Sequence, residues 1–200
     1  MNSKARTFVV FLLLLTIGVV CHGQLLKPLQ PMGTSPLPKG VSIIFSSDGG
    51  DICGEAAKFI DTAKHEVLIS FYAINEPRVV NSLIKAFQRG CVVAVLLDAK
   101  PAIRGYNTPN YLRRFGLPVI LAQRGNDGKG WHNQHYAVVD RQCVLIASGD
   151  LVSPWKNNTD TLVIINESGF ASRFFNNFMQ EANRGGGFSS PPDPNAQLSN

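Results

Sequence analysis

This chain lacks the patterns that usually announce a metal site. It contains no Cys-x-x-Cys and no His-Glu-x-x-His, which removes the common zinc frameworks. Only four cysteines occur in 200 residues. Cys21 lies in the N-terminal segment. Cys53, Cys91 and Cys143 are odd in number and widely spaced, so no disulfide framework is visible, and a single bridge stays unassigned. Cys91 and Cys143 sit in apolar, strand-like runs and read as small core residues. There is no Lys/Arg-rich tract, which argues against a dedicated nucleic-acid arm. The 19 basic residues exceed the 14 acidic ones only mildly, and removing Lys4 and Arg6 shrinks the excess further. Such a balance permits a polyanionic partner without requiring one.

No apolar run reaches the ~20 residues of a comfortable membrane span. The longest, Phe8 to Val20, follows Lys4 and Arg6 and is followed by the small Gly23. That order predicts a cleaved secretory signal over residues 1–23, with the mature chain starting near Gln24 and exported, secreted or periplasmic. An uncleaved anchor that tethers the protein to a membrane is the alternative. Residues 24–40 are rich in Pro and Gly and read as an extended leader. Residues 184–200 read as a disordered tail. One domain, residues 41–183, is left between them, long enough to bury a sizeable core.

Inside that domain, strand-like and helix-like patterns alternate. Val41–Phe45 is a short apolar run, and Asp51–Ala63 has helical spacing. Glu66–Tyr72 is a β-rich strand. Pro77–Arg89 opens with Pro and closes before Gly90, which are helix start and stop signals. Val92–Leu97 is wholly apolar, as a strand covered on both faces must be. A short helix is expected over Asn110–Phe115. Strands are expected at Val119–Ala122, Tyr136–Val139, Cys143–Ala147 and Thr161–Ile165, and a last helix at Phe170–Ala182. The order implies an α/β domain, a mixed β-sheet sandwiched between helices.

The chemistry concentrates between Trp131 and Asp160. His132, Asn133, Gln134 and His135 crowd the start of an apolar strand, and Ser148-Gly149-Asp150 follows the next one. Imidazoles, amides and hydroxyls gathered where strands meet loops suit phosphate binding. Each also has a plain reading: polar residues at a loop–strand junction for His132 and His135, a turn former for Asp140, loop residues for Ser148 and Asp150. Trp131 and Trp155 either cover the sheet end or line a groove for a lipid or a base.

Several segments resemble the phospholipase D superfamily, in its small single-domain form that includes secreted endonucleases and mitochondrial cardiolipin hydrolase. They are Glu66–Tyr72, Leu83–Ala86, Arg89–Asp98, Phe115–Val119, Ala137–Asp140 and Asn157–Asp160. The family signature is His-x-Lys, four residues, Asp, then Gly-Ser-x-Asn and a later acid. Anchored on Asp140, the histidine position is Asn133 and the lysine position is His135. The Gly-Ser-x-Asn segment is Ala147-Ser148-Gly149-Asp150, and the late acid is Asp160. Asp140, Ser148 and Asp160 fit, whereas the nucleophile, the lysine and the asparagine are replaced.

The resemblance implies catalysis without a metal or other cofactor. It implies a phosphodiester substrate, nucleic acid or phospholipid, and a homodimer, because two motifs meet in one family site. One imidazole attacks phosphorus and the other protonates the leaving oxygen. Asn133 can do neither. Two repairs are open. His132 could be rotated inward by a bulge, although strand alternation puts it opposite Asn133 and His135. Alternatively His135, on the same face as Asn133, could act itself, with Asp140 and Asp160 in support and Asn133, Ser148 and Asp150 around the phosphate. Two functions follow: a secreted phosphodiesterase with a histidine-centred site, or a catalytically inactive relative that binds a phosphate-bearing ligand or protein.

Overall fold

The computed structural model describes residues 20–21, 24–25, 35–103, 107–122, 129–153 and 158–185. The chain divides into two units, Met1–Pro36 and Leu37–Asn200. In the first unit, β1 (Val20–Cys21) pairs antiparallel with β2 (Gln24–Leu25), so Cys21 faces Gln24 across the expected cleavage point. The rest of the expected signal segment, most of the leader and the tail beyond Gly185 lie outside the described residues, as does Trp155.

The second unit runs β3 (Val41–Phe45), α1 (Ile52–Asp61), β4 (Glu66–Phe71), α2 (Pro77–Gln88), β5 (Val92–Asp98), α3 (Ala99–Ile103), α4 (Thr108–Arg114), β6 (Val119–Ala122), β7 (Tyr136–Val139), β8 (Cys143–Ala147), β9 (Thr161–Asn166) and α5 (Ser168–Arg184). Seven strands form one mixed sheet in the order β3-β9-β8-β7-β4-β5-β6. β4, β5 and β6 are parallel, and the pairs from β4 through β7, β8 and β9 to β3 are antiparallel.

The apolar runs explain the layering. β4 and β5 are buried at every position and supply both cores. Successive side chains on a strand point to opposite faces. Val67, Ile69 and Phe71 of β4 and Val93, Val95 and Leu97 of β5 pack with Ile60 of α1 and Leu83 of α2. Leu68, Ala94 and Leu96 point the other way, to Ala171, Phe178 and Ala182 of α5. A fully buried Leu or Ile contributes about 1.5–3 kcal/mol, so these central strands hold the two layers together.

Local signals set the helix ends. The Asp51 carboxylate caps α1 by accepting from Gly54 N at 2.9 Å. α2 begins with Pro77 at its first position, and Gly90 follows its C-cap at φ 90°, a conformation that favours glycine. The turn between β7 and β8 places Asp140 and Arg141 at φ 51° and 55°, two successive left-handed residues that match the twist of a tight hairpin.

In the second unit two short elements were not anticipated, the helix α3 and a 3-10 turn at Ser46–Asp48. The strand β7 spans Tyr136–Val139 as expected, and His132 to His135 form an irregular segment that leads into it. Cys53, Cys91 and Cys143 are all free thiols.

Candidate functional site at one end of the sheet

Strand direction decides which side chains can meet. β7 is antiparallel to β4, so the segment before Tyr136 lies at the C-terminal end of β4. That is the end where open α/β sheets place ligands. β8 returns to the same end and delivers Ser148, Gly149 and Asp150, while β9 departs from it after Asp160.

His132 points into the protein. It is 2% exposed, and its Nε2 lies 2.7 Å from Ser70 Oγ on β4. Its backbone N–H donates to Asp98 Oδ2 at 2.6 Å, and the other oxygen of Asp98 accepts from Lys100 N at 2.8 Å. The bulge that was to turn His132 toward the cleft is therefore not what the segment does. A buried carboxylate and a buried hydroxyl hold this imidazole inside. Lys100 completes the clamp, with Nζ donating to Lys129 O and Gly130 O at 2.7 Å each. Trp131 is 56% exposed; its ring centre lies 5.4 Å from that of Tyr72 and 4.3 Å from Lys100 Nζ.

His135 takes the other direction. Its ring lies 5.5 Å from that of Phe71, and its Nε2 lies 3.2 Å from Asp150 Oδ1. That distance allows charge pairing, but the alignment is not that of a hydrogen bond, and Nε2 is buried without a hydrogen-bond partner. Asp150 is fixed from behind, because Oδ1 also accepts from Ala73 N at 2.8 Å. Asn133, at the position of the family nucleophile, is exposed.

Ser148 and Asp160 are joined directly. Ser148 Oγ donates to Asp160 Oδ1 at 3.1 Å and accepts from Thr161 N at 2.9 Å. Asp160 is held in turn by Ser46, whose Oγ accepts from Asp160 N at 2.8 Å. Between them Gly149 leaves no room for a side chain, since a β-carbon there would sit 2.6 Å from Asp160 Oδ1.

Asp140 does not join this cluster. It sits at the far end of β7, where its carboxylate accepts from three successive backbone groups, Lys64 N at 3.0 Å and His65 N and Glu66 N at 2.8 Å each. At this end of the sheet the structure thus pairs His135 with Asp150 and Ser148 with Asp160, leaves Asn133 exposed, turns His132 away and separates Asp140.

On the face covered by α5, a cavity of about 490 Å³ adjoins the cluster, lined by Asn133, Gln134, His135, Tyr136, Ile146, Ala147, Arg173, Phe174 and Asn177. Burial pushes the Tyr136 hydroxyl well above its ordinary value, and it donates to Asn177 Oδ1 at 2.9 Å. The thiol of Cys53 offers no substitute nucleophile. Burial first, and the Glu76 carboxylate next, push it up to about 12, so it stays protonated at neutral pH. Among the described residues, no group of three or more His, Cys, Asp or Glu is arranged to hold a metal.

Ser70, Asp98, Lys100, Arg173 and Asn177 were not singled out from the sequence. A carboxylate closing a wholly apolar strand was a signal available for Asp98. Nothing marked Arg173 and Asn177, which look like ordinary polar residues on the last helix.

The profile of the family described as cardiolipin synthase, PLD-like domain, matches residues 57–182. Among curated proteins no match is found. Several solved structures are similar in fold. Nuc from Salmonella typhimurium, a phospholipase D family member, is 21% identical with a TM-score of 0.66, over 75% of this chain and 98% of that one. NucT from Helicobacter pylori is 17% identical with a TM-score of 0.62, over 72% of this chain and 96% of that one. The phosphatidylserine synthase of Haemophilus influenzae Rd KW20 is 13% identical with a TM-score of 0.60, over 78% of this chain but 40% of that one.

Proposed function

The chain belongs to the family of phospholipase D-like domains, and from that premise we propose that it binds a phosphodiester where Asn133, His135, Ser148, Asp150 and Asp160 meet. The ligand class is nucleic acid or phospholipid, as the names of the similar proteins suggest. Binding without turnover is the reading the geometry supports best. The observation that carries it is the state of the two imidazoles. His132 is buried on Ser70, His135 is drawn to Asp150, and Asn133 occupies the place where the family attacks phosphorus. A carboxamide donates hydrogen bonds to phosphate oxygens but forms no covalent intermediate.

A second reading is favoured by one contact. His135 lies against a carboxylate, as a working imidazole in an acid–base pair does. In this reading the chain is a metal-independent phosphodiesterase. His135 bonds to phosphorus, the leaving oxygen takes a proton from the same imidazole of a second copy, and water then cleaves the phosphorus–nitrogen bond. One motif per chain is half of such a site, so the working unit is a homodimer closed by a twofold axis. The setting we propose is outside the cytoplasm, after export and cleavage ahead of Gln24.

Purified protein in EDTA, offered single-stranded DNA, RNA and cardiolipin in turn, separates the readings. Saturable binding with no cleavage supports the first. Cleavage that survives EDTA and falls at least ~10²-fold in His135→Ala supports the second. Neither binding nor cleavage of any of the three removes both.

A further inference from the structure

We infer that the cleft between α2 and α4 is a binding site for a neutral saccharide, with the Tyr111 ring as its platform. The cleft has a volume of about 370 Å³, near the lower end of ordinary small-molecule sites. Among the described residues no motif position lines it, so the inference stands whether or not the motif binds a phosphodiester. Three segments build it. α2 presents Pro77 and, one turn on, Val80 and Asn81; α4 presents Thr108 and, one turn on, Tyr111, with Asn107 just ahead of them. The third segment is the loop after β4. There Asn75 N donates to Leu151 O at 3.0 Å, and Asn75 Oδ1 accepts from Ser153 N at 2.6 Å. With its oxygen so engaged, the Asn75 amide keeps its two N–H donors for the cleft.

The lining selects the ligand by what it offers. Among the described residues it holds no charged group. A phosphate, a carboxylate or an ammonium entering it would lose hydration with no opposite charge to offset the loss. What it does hold is three carboxamides and two hydroxyls beside an apolar surface of Pro77, Val80 and the Tyr111 ring. The side chains of Asn81, Asn107 and Thr108 and the Tyr111 hydroxyl make no hydrogen bond with another described residue. Tyr111 is 41% exposed, and Phe115 props its ring edge-on at 5.2 Å between centres. A sugar ring matches this set. Its C–H face carries a slight positive charge and rests on the negative face of an aromatic ring. Each of its hydroxyls donates and accepts, as a carboxamide does with its N–H2 and its oxygen. A nucleobase also stacks, but its hydrogen-bonding groups lie in one plane along its edge. The polar groups here come from three separate segments and are spread around the ligand, which suits hydroxyls set around a ring.

Saturation-transfer NMR and calorimetric titration of the full chain test this with a panel of neutral oligosaccharides built on glucose, galactose, mannose and N-acetylglucosamine, and with adenine and inorganic phosphate beside them. At least one oligosaccharide should bind, more tightly than adenine or phosphate, and the strongest saturation should fall on the C–H protons of one ring face. Tyr111→Ala should weaken it about tenfold or more, and Tyr111→Trp, which keeps a platform, much less. Asn107→Ala should weaken it by a smaller factor, and His135→Ala, at the motif, should leave it within about twofold. Which sugar binds identifies the source. No binding by any member of the panel overturns the proposal, as does equal affinity in wild type and Tyr111→Ala. Adenine bound more tightly than every sugar, and lost in Tyr111→Ala, makes the cleft a base site and overturns it too. A sugar lost in His135→Ala but kept in Tyr111→Ala sits at the motif, which sinks this site while leaving the motif open to its own test. Thermal melts of each variant confirm the fold. Asn107 is exposed, so its replacement carries the test if Tyr111→Ala melts early.

Discussion

The two ends of β7 are finished in opposite ways. At the Asp140 end, one carboxylate accepts from three consecutive N–H groups, and Arg141 pairs with the buried Glu66 through Nε at 3.0 Å and Nη2 at 2.9 Å. The Arg141 guanidinium also lies 4.1 Å from the centre of the Phe175 ring. Beyond the other end of the strand, Gln134 Oε1 and His135 Nε2 are buried without hydrogen bonds. Saturated polar groups lock a strand, whereas buried unsatisfied ones cost stability. The acid that anchors the family motif in sequence thus holds the hairpin, at the end of β7 away from His135 and Asp150.

Asp140→Ala should show the largest effect. It removes three charge-assisted hydrogen bonds and puts a non-glycine residue without a polar side chain at φ 51°, for a loss of about 3 kcal/mol in urea denaturation. His135→Ala should cost less than about 1 kcal/mol, because its buried nitrogen makes no hydrogen bond to lose. Similar losses in both would erase the contrast.

An intermediate effect is expected inside the irregular segment, where one group is satisfied. Ser70→Ala leaves His132 Nε2 without its hydroxyl partner in a buried setting, for about 1–2 kcal/mol. The melting temperature should fall while ligand binding at the motif holds. A larger loss of binding than of stability would move His132 into the functional set.

The smallest effect concerns charges at the wet margin of the motif end. The Arg78 hydrogen bond holds the Asp51 carboxyl below its ordinary range. A carboxyl depressed in the fold stabilises it above the unfolded value and loses that contribution as pH falls through the lower folded one. Denaturation midpoints between pH 7 and pH 3 should therefore drop more steeply for wild type than for Asp51→Asn. Both partners are about two-fifths exposed, so the difference should be slight. Parallel acid limbs would show that the pair contributes nothing.

Where a rule of local periodicity applied, the sequence was readable. The wholly apolar Val92–Leu97 became a strand buried on both faces, Pro77 and Gly90 bracketed a helix, and Asp140-Arg141 made the turn. The site was readable only in part. His132 and His135 do turn to opposite sides, as alternation along a strand has it, but nothing local marks the grip on the backbone there of a carboxylate thirty-four positions earlier, Asp98. α3 is five residues long and too short to show a period. The gathering of Ser148 and Asp160 was foreseeable from the family pattern; the contact of His135 with Asp150 arises from side-chain direction, which spacing alone does not encode.

The outermost strand pair carries a consequence for biosynthesis. β3 is the first strand of the sheet to leave the ribosome, yet among the described residues its only partner is β9, the last. Until Thr161–Asn166 emerges, Ile43, Ile44 and Phe45 have no hydrogen-bonded neighbour in the sheet. Ile43 and Phe45 remain partly solvent-facing even in the finished protein. Sheet completion is therefore a late, non-local step, and nascent chains stalled before β9 present a bare apolar edge to one another. The time translation takes from Phe45 to Asn166 sets how long that edge stays open.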